Sequence, residues 1–197
     1  MRVWITGFVL LLMLAGCGEK PKATPTAKFN ASDIAGADFG KDFQLTDHNG
    51  KIRNLTDFRG KVVVLFFGYT HCPDVCPTTL SDFAMAIKRL GKAGEQVQVL
   101  FVTVDPARDT PALLAKYVPS FNPTFLGLYG NEEATAKVAK DFKVFYKKQV
   151  GADSQHYSVD HTAGTYVFDQ QGRLRLFMSY GQDVASIVHD LEILLTT

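Results

Sequence analysis

The sequence predicts a mixed α/β domain whose central sheet is covered by helices on both faces. Between residues 62 and 144, short apolar segments of strand length alternate with segments of helical spacing. The chain then ends with two strand-like segments around a Gln-Gln-Gly turn and a final amphipathic helix. Strands that alternate with helices in this way favour a sheet with helices packed against it.

The elements of this fold follow one another in a regular order. Asn49-Gly50 separates two short alternating segments, 43–47 and 51–55, and predicts a hairpin near the start of the domain. Residues 62–67 are continuously apolar, which is typical of a strand buried on both faces. The other predicted elements are helices over 78–90, 110–117, from Asn131 and over 183–195, strands over 96–104, 125–129, 144–150, 165–168 and 174–178, and a polar loop over 151–160.

The composition fits one globular domain with an appendage. The chain has 197 residues, of which 46% are hydrophobic, and this is ample for a packed core. The formal net charge is +1 and no block of like charges occurs, so there is no electrostatic basis for a nucleic-acid partner. We therefore expect no binding to nucleic acid, and separately we expect the protein to be a monomer.

The first residues have the pattern of an export signal. Arg2 precedes an apolar stretch over residues 8–14, which is too short to predict a membrane-spanning helix. Leu14-Ala15-Gly16-Cys17 resembles the lipobox of bacterial lipoproteins, in which the cysteine is acylated and becomes the new N-terminus. The alternative is a plain secretory signal that is followed by an incidental cysteine.

These features divide the chain into three parts. Residues 1–16 are predicted to be a lipoprotein signal peptide, 17–38 a flexible tether, and 39–197 the folded domain. A lipid on Cys17 would hold the domain at a membrane surface without spanning the membrane. We expect the protein to be exported and lipid-anchored to a bacterial membrane, with its domain on the periplasmic or extracellular side.

Cys72 and Cys76 lie between a predicted buried strand and a predicted helix. Residues i and i+4 on a helix share one face, about 5–6 Å apart, so both sulfurs are expected to lie together. The partial positive charge at a helix N-terminus favours the thiolate, which is both a nucleophile and a metal ligand. The pair could therefore form a structural disulfide, carry out thiol exchange, or bind a soft metal ion.

His161 is the histidine best placed to join the two cysteines. It precedes an apolar strand that could neighbour the strand leading to Cys72, and functional groups collect at strand ends and loops. Soft sulfur donors select Cu(I), and imidazole also suits copper. A structural zinc site normally has four protein ligands, and Asp160 is poorly placed to be the fourth because it adjoins His161.

The remaining candidates have weaker support. His71 adjoins Cys72 and could tune its thiolate, whereas His48, His156 and His189 lie in a turn, a loop and a helix. Asp105 lies at a strand end, on the same edge as the cysteines. The tract 105–111 has an alternative interpretation as a structural turn and helix cap.

Three ordered motifs together resemble the Sco/SenC family. They are Gly-Tyr-Thr-His-Cys-Pro-Asp-Val-Cys-Pro at 68–77, Val-Thr-Val-Asp-Pro with Arg-Asp-Thr-Pro at 102–111, and Asp-His-Thr-Ala at 160–163. The resemblance implies a thioredoxin-like fold with an N-terminal hairpin extension. It also implies one copper ion, Cu(I) or Cu(II), held by Cys72, Cys76 and His161. Thioredoxins usually carry a cis-proline beside the dithiol, and this chain has Asp160-His161-Thr162 in the equivalent stretch.

The resemblance leaves two functions open. The first is a copper chaperone, not an enzyme, that matures the binuclear copper centre of cytochrome c oxidase subunit II. The second is a thiol-disulfide oxidoreductase in which Cys72 and Cys76 form the redox-active catalytic pair and His161 is dispensable. A thiol peroxidase is disfavoured because its Pro-x-x-x-Thr-x-x-Cys pattern is absent. A copper or redox sensor remains an alternative.

Overall fold

The computed structural model describes residues 28–150 and 157–197. The predicted signal peptide, Cys17, His156 and half of the predicted tether, residues 17–27, lie outside the described residues. The elements are strands β1 (Ser32–Asp33), β2 (Gln44–Asp47), β3 (Ile52–Asn54), β4 (Val62–Gly68), β5 (Val97–Thr103), β6 (Leu126–Tyr129), β7 (Tyr146–Val150), β8 (Tyr157–His161), β9 (Thr165–Phe168) and β10 (Leu174–Met178), and helices α1 (Val75–Leu90), α2 (Pro111–Tyr117), α3 (Glu132–Asp141) and α4 (Val184–Thr196).

Eight strands form one mixed sheet, in the order β1-β10-β9-β4-β5-β6-β2-β3. Strands β4, β5 and β6 are parallel, whereas β9 and β10 are antiparallel to their neighbours. Strands β2 and β3 form the hairpin that Asn49-Gly50 predicted, and this N-terminal hairpin lies at one edge of the sheet. The predicted mixed α/β fold class is confirmed.

The central strand β4 is buried along its whole length and packs on both faces of the sheet. Successive side chains of a strand point to opposite faces. On one face, the ring centroids of Phe66 and Phe101 are 6.1 Å apart. On the other face, the ring centroids of Phe67 and Phe142 are 5.5 Å apart, and Phe142 directly follows α3. The face of Phe66 is also the face of α1, because a Cβ on Gly68 would meet both Phe66 and Cys76.

Three helix starts were predicted correctly from their capping residues. Thr110, Asn131 and Asp183 each accept a hydrogen bond from the backbone N–H three residues later. These bonds satisfy backbone donors that have no partner within the helix. None of the helices in the described part of the chain is long and apolar enough to span a membrane.

Two predicted boundaries were wrong. Helix α1 begins at Val75, three residues earlier than predicted, so Cys76 lies in its first turn. Residues 157–160 belong to strand β8 rather than to a polar loop. This segment forms a strand because its burial alternates with a period of two: Val159 is buried, whereas Ser158 and Asp160 are exposed. Strand β8 pairs with β7 in a separate two-stranded ribbon.

Candidate metal site

The cysteines lie in the turn that connects β4 to α1. Cys72 precedes the helix, and its backbone N–H donates to the carbonyl of Tyr69 at 3.2 Å. Cys76 is fully buried in the first turn of α1, whereas Cys72 is half-buried, and both are free thiols. The prediction that both sulfurs lie on one helix face was therefore wrong. A turn of the backbone, rather than helical spacing, brings them together.

His161 ends β8 and faces the same turn. Its ring Nε2 lies 3.4 Å from the Cys76 Sγ. Strand β9, which begins four residues later, is antiparallel to β4 and pairs Thr165 with Phe66. The predicted adjacency of the two strands is confirmed, and it is this pairing that brings His161 back to the cysteine turn.

The ligand atoms of Cys72, Cys76 and His161 all lie within 4.8 Å of one another. Metal–sulfur and metal–nitrogen bonds are about 2.0–2.3 Å long, so one ion could contact all three atoms after small side-chain movements. Within residues 28–150 and 157–197, no other group of three histidine, cysteine, aspartate or glutamate side chains is arranged in this way. Two sulfurs and one imidazole form a donor set for a soft metal ion.

Burial shifts the pKa of two of these groups toward their neutral forms. Burial raises the pKa of the Cys76 thiol, and the neighbouring Cys72 contributes to the rise. The expected thiolate at the helix N-terminus is therefore wrong for Cys76 in the metal-free protein, because desolvation outweighs the helix dipole. Burial likewise lowers the pKa of His161, so its imidazole is neutral at pH 7.

One hydrogen bond defines which nitrogen of His161 is free. The ring Nδ1 lies 3.0 Å from the carbonyl oxygen of Thr162, which can only accept. A neutral imidazole must therefore carry its proton on Nδ1 and donate it to Thr162. This leaves the Nε2 lone pair directed toward Cys76, as in metal sites where a second hydrogen bond orients the histidine.

Aromatic rings enclose the imidazole. The rings of Phe66 and Tyr69 lie edge-on to the His161 ring, with centroids 6.1 and 5.9 Å away. Gly68 leaves space for the sulfur, since a Cβ there would lie only 2.8 Å from the Cys76 Sγ. The buried side of the site is therefore apolar, and access is from the half-buried Cys72.

A buried carboxylate holds the cysteine turn to the sheet. Asp109 accepts hydrogen bonds from the backbone N–H of Thr70 at 3.0 Å, from its hydroxyl at 2.6 Å, and from the Thr103 hydroxyl at 2.6 Å. Thr70 is two residues before Cys72. These bonds link the turn to the end of β5.

Asp105 is buried at the end of β5, as expected, but it faces other side chains rather than the sulfurs. It accepts hydrogen bonds from the Arg108 guanidinium and, at 2.7 Å, from the Tyr157 hydroxyl. Arg108 also donates to the Tyr157 carbonyl at 2.8 Å. The tract 105–111 therefore caps helix α2 and also links the cysteine turn to strand β8, which carries His161.

The other predicted side chains lie elsewhere. The His71 ring is half-exposed and contacts the Thr70 hydroxyl at 3.1 Å. His48 accepts from the Gly127 backbone, and His189 lies 3.0 Å from Asp190. Asp160 accepts a hydrogen bond from Gln149 on the outer side of the ribbon.

Sequence reasoning missed the residues that orient His161. Thr162 accepts from the imidazole and also pairs with Phe145, its backbone N–H donating to the Phe145 carbonyl at 2.9 Å. Tyr157 connects the start of β8 to the Asp105–Arg108 pair. The available signal was the alternation of Tyr157, Val159 and His161, which marks a strand with one inward face.

Comparison with known proteins shows the relationships of the chain. The SCO1/SenC family model matches residues 31–196. The SCO2-like protein of Rickettsia felis is 37% identical over 168 residues, covering 85% of this chain and 80% of that protein. Apo Sco1 from Thermus thermophilus is 42% identical with a TM-score of 0.76, covering 87% of this chain and 99% of that one. Bradyrhizobium japonicum ScoI, solved with copper bound, is 40% identical with a TM-score of 0.72, covering 79% and 98% of the two chains.

These matches agree with the architecture described above. The fold is the thioredoxin-like α/β fold that the sequence motifs implied. The family match covers both the cysteine turn and His161.

Proposed function

The chain belongs to the SCO1/SenC family, and we propose that it is a copper-binding protein of cytochrome c oxidase assembly that acts as a copper chaperone. Two observations on relatives support this. ScoI of Bradyrhizobium japonicum has been solved with copper bound. BsSco, which has the same fold at 20% identity, is a member of the Sco family of cytochrome c oxidase assembly proteins.

The observation that carries the proposal is the convergence of three donor atoms within 4.8 Å, with the Nε2 of His161 free to coordinate. Cys72 and Cys76 would supply two thiolates and His161 one imidazole to a single copper ion. When bound, copper is the cargo, and it moves to the thiolates of a partner by ligand exchange. The half-buried Cys72 gives an incoming ligand access to the site.

A titration of the reduced protein with Cu(I), in competition with a chromogenic chelator, tests this function. We expect one equivalent of copper to bind. Outer-shell residues around metal sites typically contribute 10–100-fold to affinity, so loss of a direct ligand in His161→Ala should weaken binding at least about 100-fold.

His71→Ala is the matched control, because His71 adjoins Cys72 but its ring lies toward Thr70. This variant should bind as tightly as the wild type. An affinity in His161→Ala that equals the wild-type affinity, with an intact fold, would contradict the proposal.

We propose that the acceptor is subunit II of cytochrome c oxidase and that the donor protein is a monomer on a lipid anchor. The lipid on Cys17 would hold the domain on the outer side of a bacterial membrane, near such an acceptor. Incorporation of a labelled fatty acid should occur in the wild type and be lost in Cys17→Ser. Release of the wild-type protein into the soluble fraction would contradict the anchor.

A thiol-disulfide oxidoreductase is the second candidate, because the two free thiols differ in exposure. The accessible Cys72 thiolate would attack a disulfide of a partner and release one partner thiolate. Cys76 would then attack the mixed disulfide, which releases the second partner thiol and leaves a Cys72–Cys76 disulfide. A mixed disulfide trapped in Cys76→Ser, together with full complementation by His161→Ala, would favour this function over copper delivery.

A further inference from the structure

Strand β8 carries His161 but lies outside the main sheet. It pairs only with β7 in a two-stranded ribbon, and among the described residues no backbone ladder joins the ribbon to the eight-stranded sheet. A two-stranded hairpin is marginally stable by itself in water. The position of His161 therefore depends on contacts that attach the ribbon to the rest of the domain.

The start of β8 is attached by Arg108. Its guanidinium bonds to the buried carboxylate of Asp105, donates to the Tyr157 carbonyl at 2.8 Å, and lies 3.5 Å from the centroid of the Tyr157 ring. The Tyr157 hydroxyl completes the contact by donating to Asp105 at 2.7 Å. A planar guanidinium can form the ion pair, the carbonyl bond and the stacking contact together, which a lysine cannot.

The same loop also holds the cysteine turn. Asp109, which follows Arg108, accepts hydrogen bonds from Thr70 next to the cysteines. The guanidinium further lies 5.7 Å from the centroid of the Tyr69 ring, which itself contacts His161 edge-on. The loop after β5 thus contacts both elements that supply ligand atoms.

We infer that Arg108 is a positioning residue: by fixing Tyr157 against Asp105, it holds the β7–β8 ribbon so that His161 stays within reach of the two sulfurs. The inference rests on the proposed function in that His161 is taken as a copper ligand. Its structural part, the attachment of the ribbon by Arg108, is independent of any metal. Without Arg108 the dithiol remains in place and the imidazole becomes mobile.

The chain offers a closely matched control. Arg53 forms an ion pair with buried Asp47, and the side-chain exposures, 20% and 0%, equal those of Arg108 and Asp105. Arg53 lies on β3, four strands from β4, which is about 19 Å at the usual strand spacing. Arg53→Gln therefore removes the same kind of pair without contact to the ribbon.

The first experiment measures amide hydrogen exchange in the reduced, metal-free full-length protein. We expect Arg108→Gln to speed exchange over residues 157–162 at least about tenfold, corresponding to about 1.4 kcal/mol. Exchange in α4 should change no more than it does in Arg53→Gln. Equal exchange over 157–162 in Arg108→Gln and Arg53→Gln would overturn the inference, whether or not the protein binds copper.

The second experiment reads the imidazole directly in the copper-loaded protein. Nitrogen hyperfine coupling in the Cu(II) spectrum should be present in the wild type and in Arg53→Gln, and weakened or heterogeneous in Arg108→Gln. The nitrogen coupling of Arg108→Lys should be intermediate between those of the wild type and Arg108→Gln, because lysine keeps the charge but not the stacking contact. An unchanged nitrogen signal in Arg108→Gln would overturn the inference, whereas failure of the wild type to bind copper would contradict the proposed function alone.

If Arg108→Gln does not fold, Tyr157→Phe provides the same test, since it removes only the hydroxyl bond to Asp105 and keeps the ring. We expect a smaller effect in the same direction, about threefold in exchange over 158–162, because Asp105 keeps its ion pair with Arg108 and only one of the contacts of Tyr157 is lost. No change in that segment would contradict a role for the Arg108–Tyr157–Asp105 contact.

Discussion

The cysteine turn and the histidine ribbon supply ligand atoms to one site but are held in different ways. The turn continues directly from β4, which is buried along its whole length, and Asp109 bonds the turn to the end of the neighbouring strand β5. The ribbon lies outside the main sheet and is attached through the contacts of Tyr157 with Asp105 and Arg108 and through the buried Val159. Two donors are therefore fixed by the core and the third by side-chain contacts.

This difference suits a protein that must bind an ion and then release it. In the proposed copper transfer, the ligands held by the core would keep the ion bound while the more weakly held ligand is replaced by one from a partner. Regions with few core contacts are also those that open most readily. The predictions that follow test this division of roles, from the largest expected effect to the smallest.

Removal of a core-held thiolate should have the largest effect on copper binding. Because thiolates are the softer ligands for Cu(I), Cys76→Ala should weaken affinity more than His161→Ala does, by over about 100-fold relative to wild type. Chelator competition measures both variants under the same conditions. Equal losses in the two variants would show that the imidazole contributes as much as a thiolate.

Asp109→Asn should destabilise the cysteine side of the site. The buried carboxylate accepts three strong hydrogen bonds, and an amide would present a donor to at least one of those donors. Hydrogen bonds to charged groups contribute about 1.5–3 kcal/mol, so we expect a loss of about 2–3 kcal/mol in the free energy of unfolding. Urea denaturation of the metal-free protein measures it.

Thr162→Val is the comparison on the ribbon side, since it removes a hydroxyl that accepts from the Phe145 backbone at 3.0 Å. The free energy of unfolding should fall by less, about 1 kcal/mol, because this hydrogen bond is exposed to solvent and joins two uncharged groups. A greater loss for Thr162→Val than for Asp109→Asn would reverse the proposed division between the two regions.

Gly68→Ala should disturb the packing around Cys76. Its Cβ would lie 2.8 Å from the Cys76 Sγ and 2.9 Å from a Phe101 ring carbon, both of which are buried. Overpacking of a filled core typically costs about 1–3 kcal/mol. Gly68 does not have a positive φ, so the loss should come from this overpacking and not from backbone strain. A wild-type stability in Gly68→Ala would show that the buried side of the site is loosely packed.

Much of the fold could be predicted from the sequence because its signals are local. Thr110, Asn131 and Asp183 cap the helices that follow them, and Asn49-Gly50 forms the predicted hairpin. Each depends on a few adjacent residues whose backbone geometry is set by their own chemistry. The continuous apolar stretch of β4 likewise predicted a buried strand.

The arrangement of the site could be predicted only in part. That His161 lies near the cysteines followed from the order of strands, but its protonated nitrogen depends on Thr162 and its support on Tyr157. The pKa of Cys76 was predicted in the wrong direction, because the sequence shows the helix N-terminus but not the packing that removes water from the sulfur. Contacts between distant segments, here Arg108 with Tyr157, have no local signal.

The two regions should differ in how pH affects the stability of the metal-free protein. Burial lowers the pKa of His161 below its ordinary 6.5, so the unfolded chain gains a proton near that pH while the folded protein does not. Stability from this group is present above pH 6.5 and is lost as pH falls. Burial raises the pKa of Cys76 above its ordinary 9.0, so stability from that group is present below pH 9 and is lost as pH rises.

Each group can change the free energy of unfolding by at most about 1.4 kcal/mol per pH unit. Urea denaturation between pH 5 and 10 should therefore show an acid slope that is reduced in His161→Ala and an alkaline slope that is reduced in Cys76→Ala. An acid slope that persists unchanged in His161→Ala would mean that the imidazole accepts a proton in the folded state. Such a result would contradict the desolvation of the imidazole between the Phe66 and Tyr69 rings.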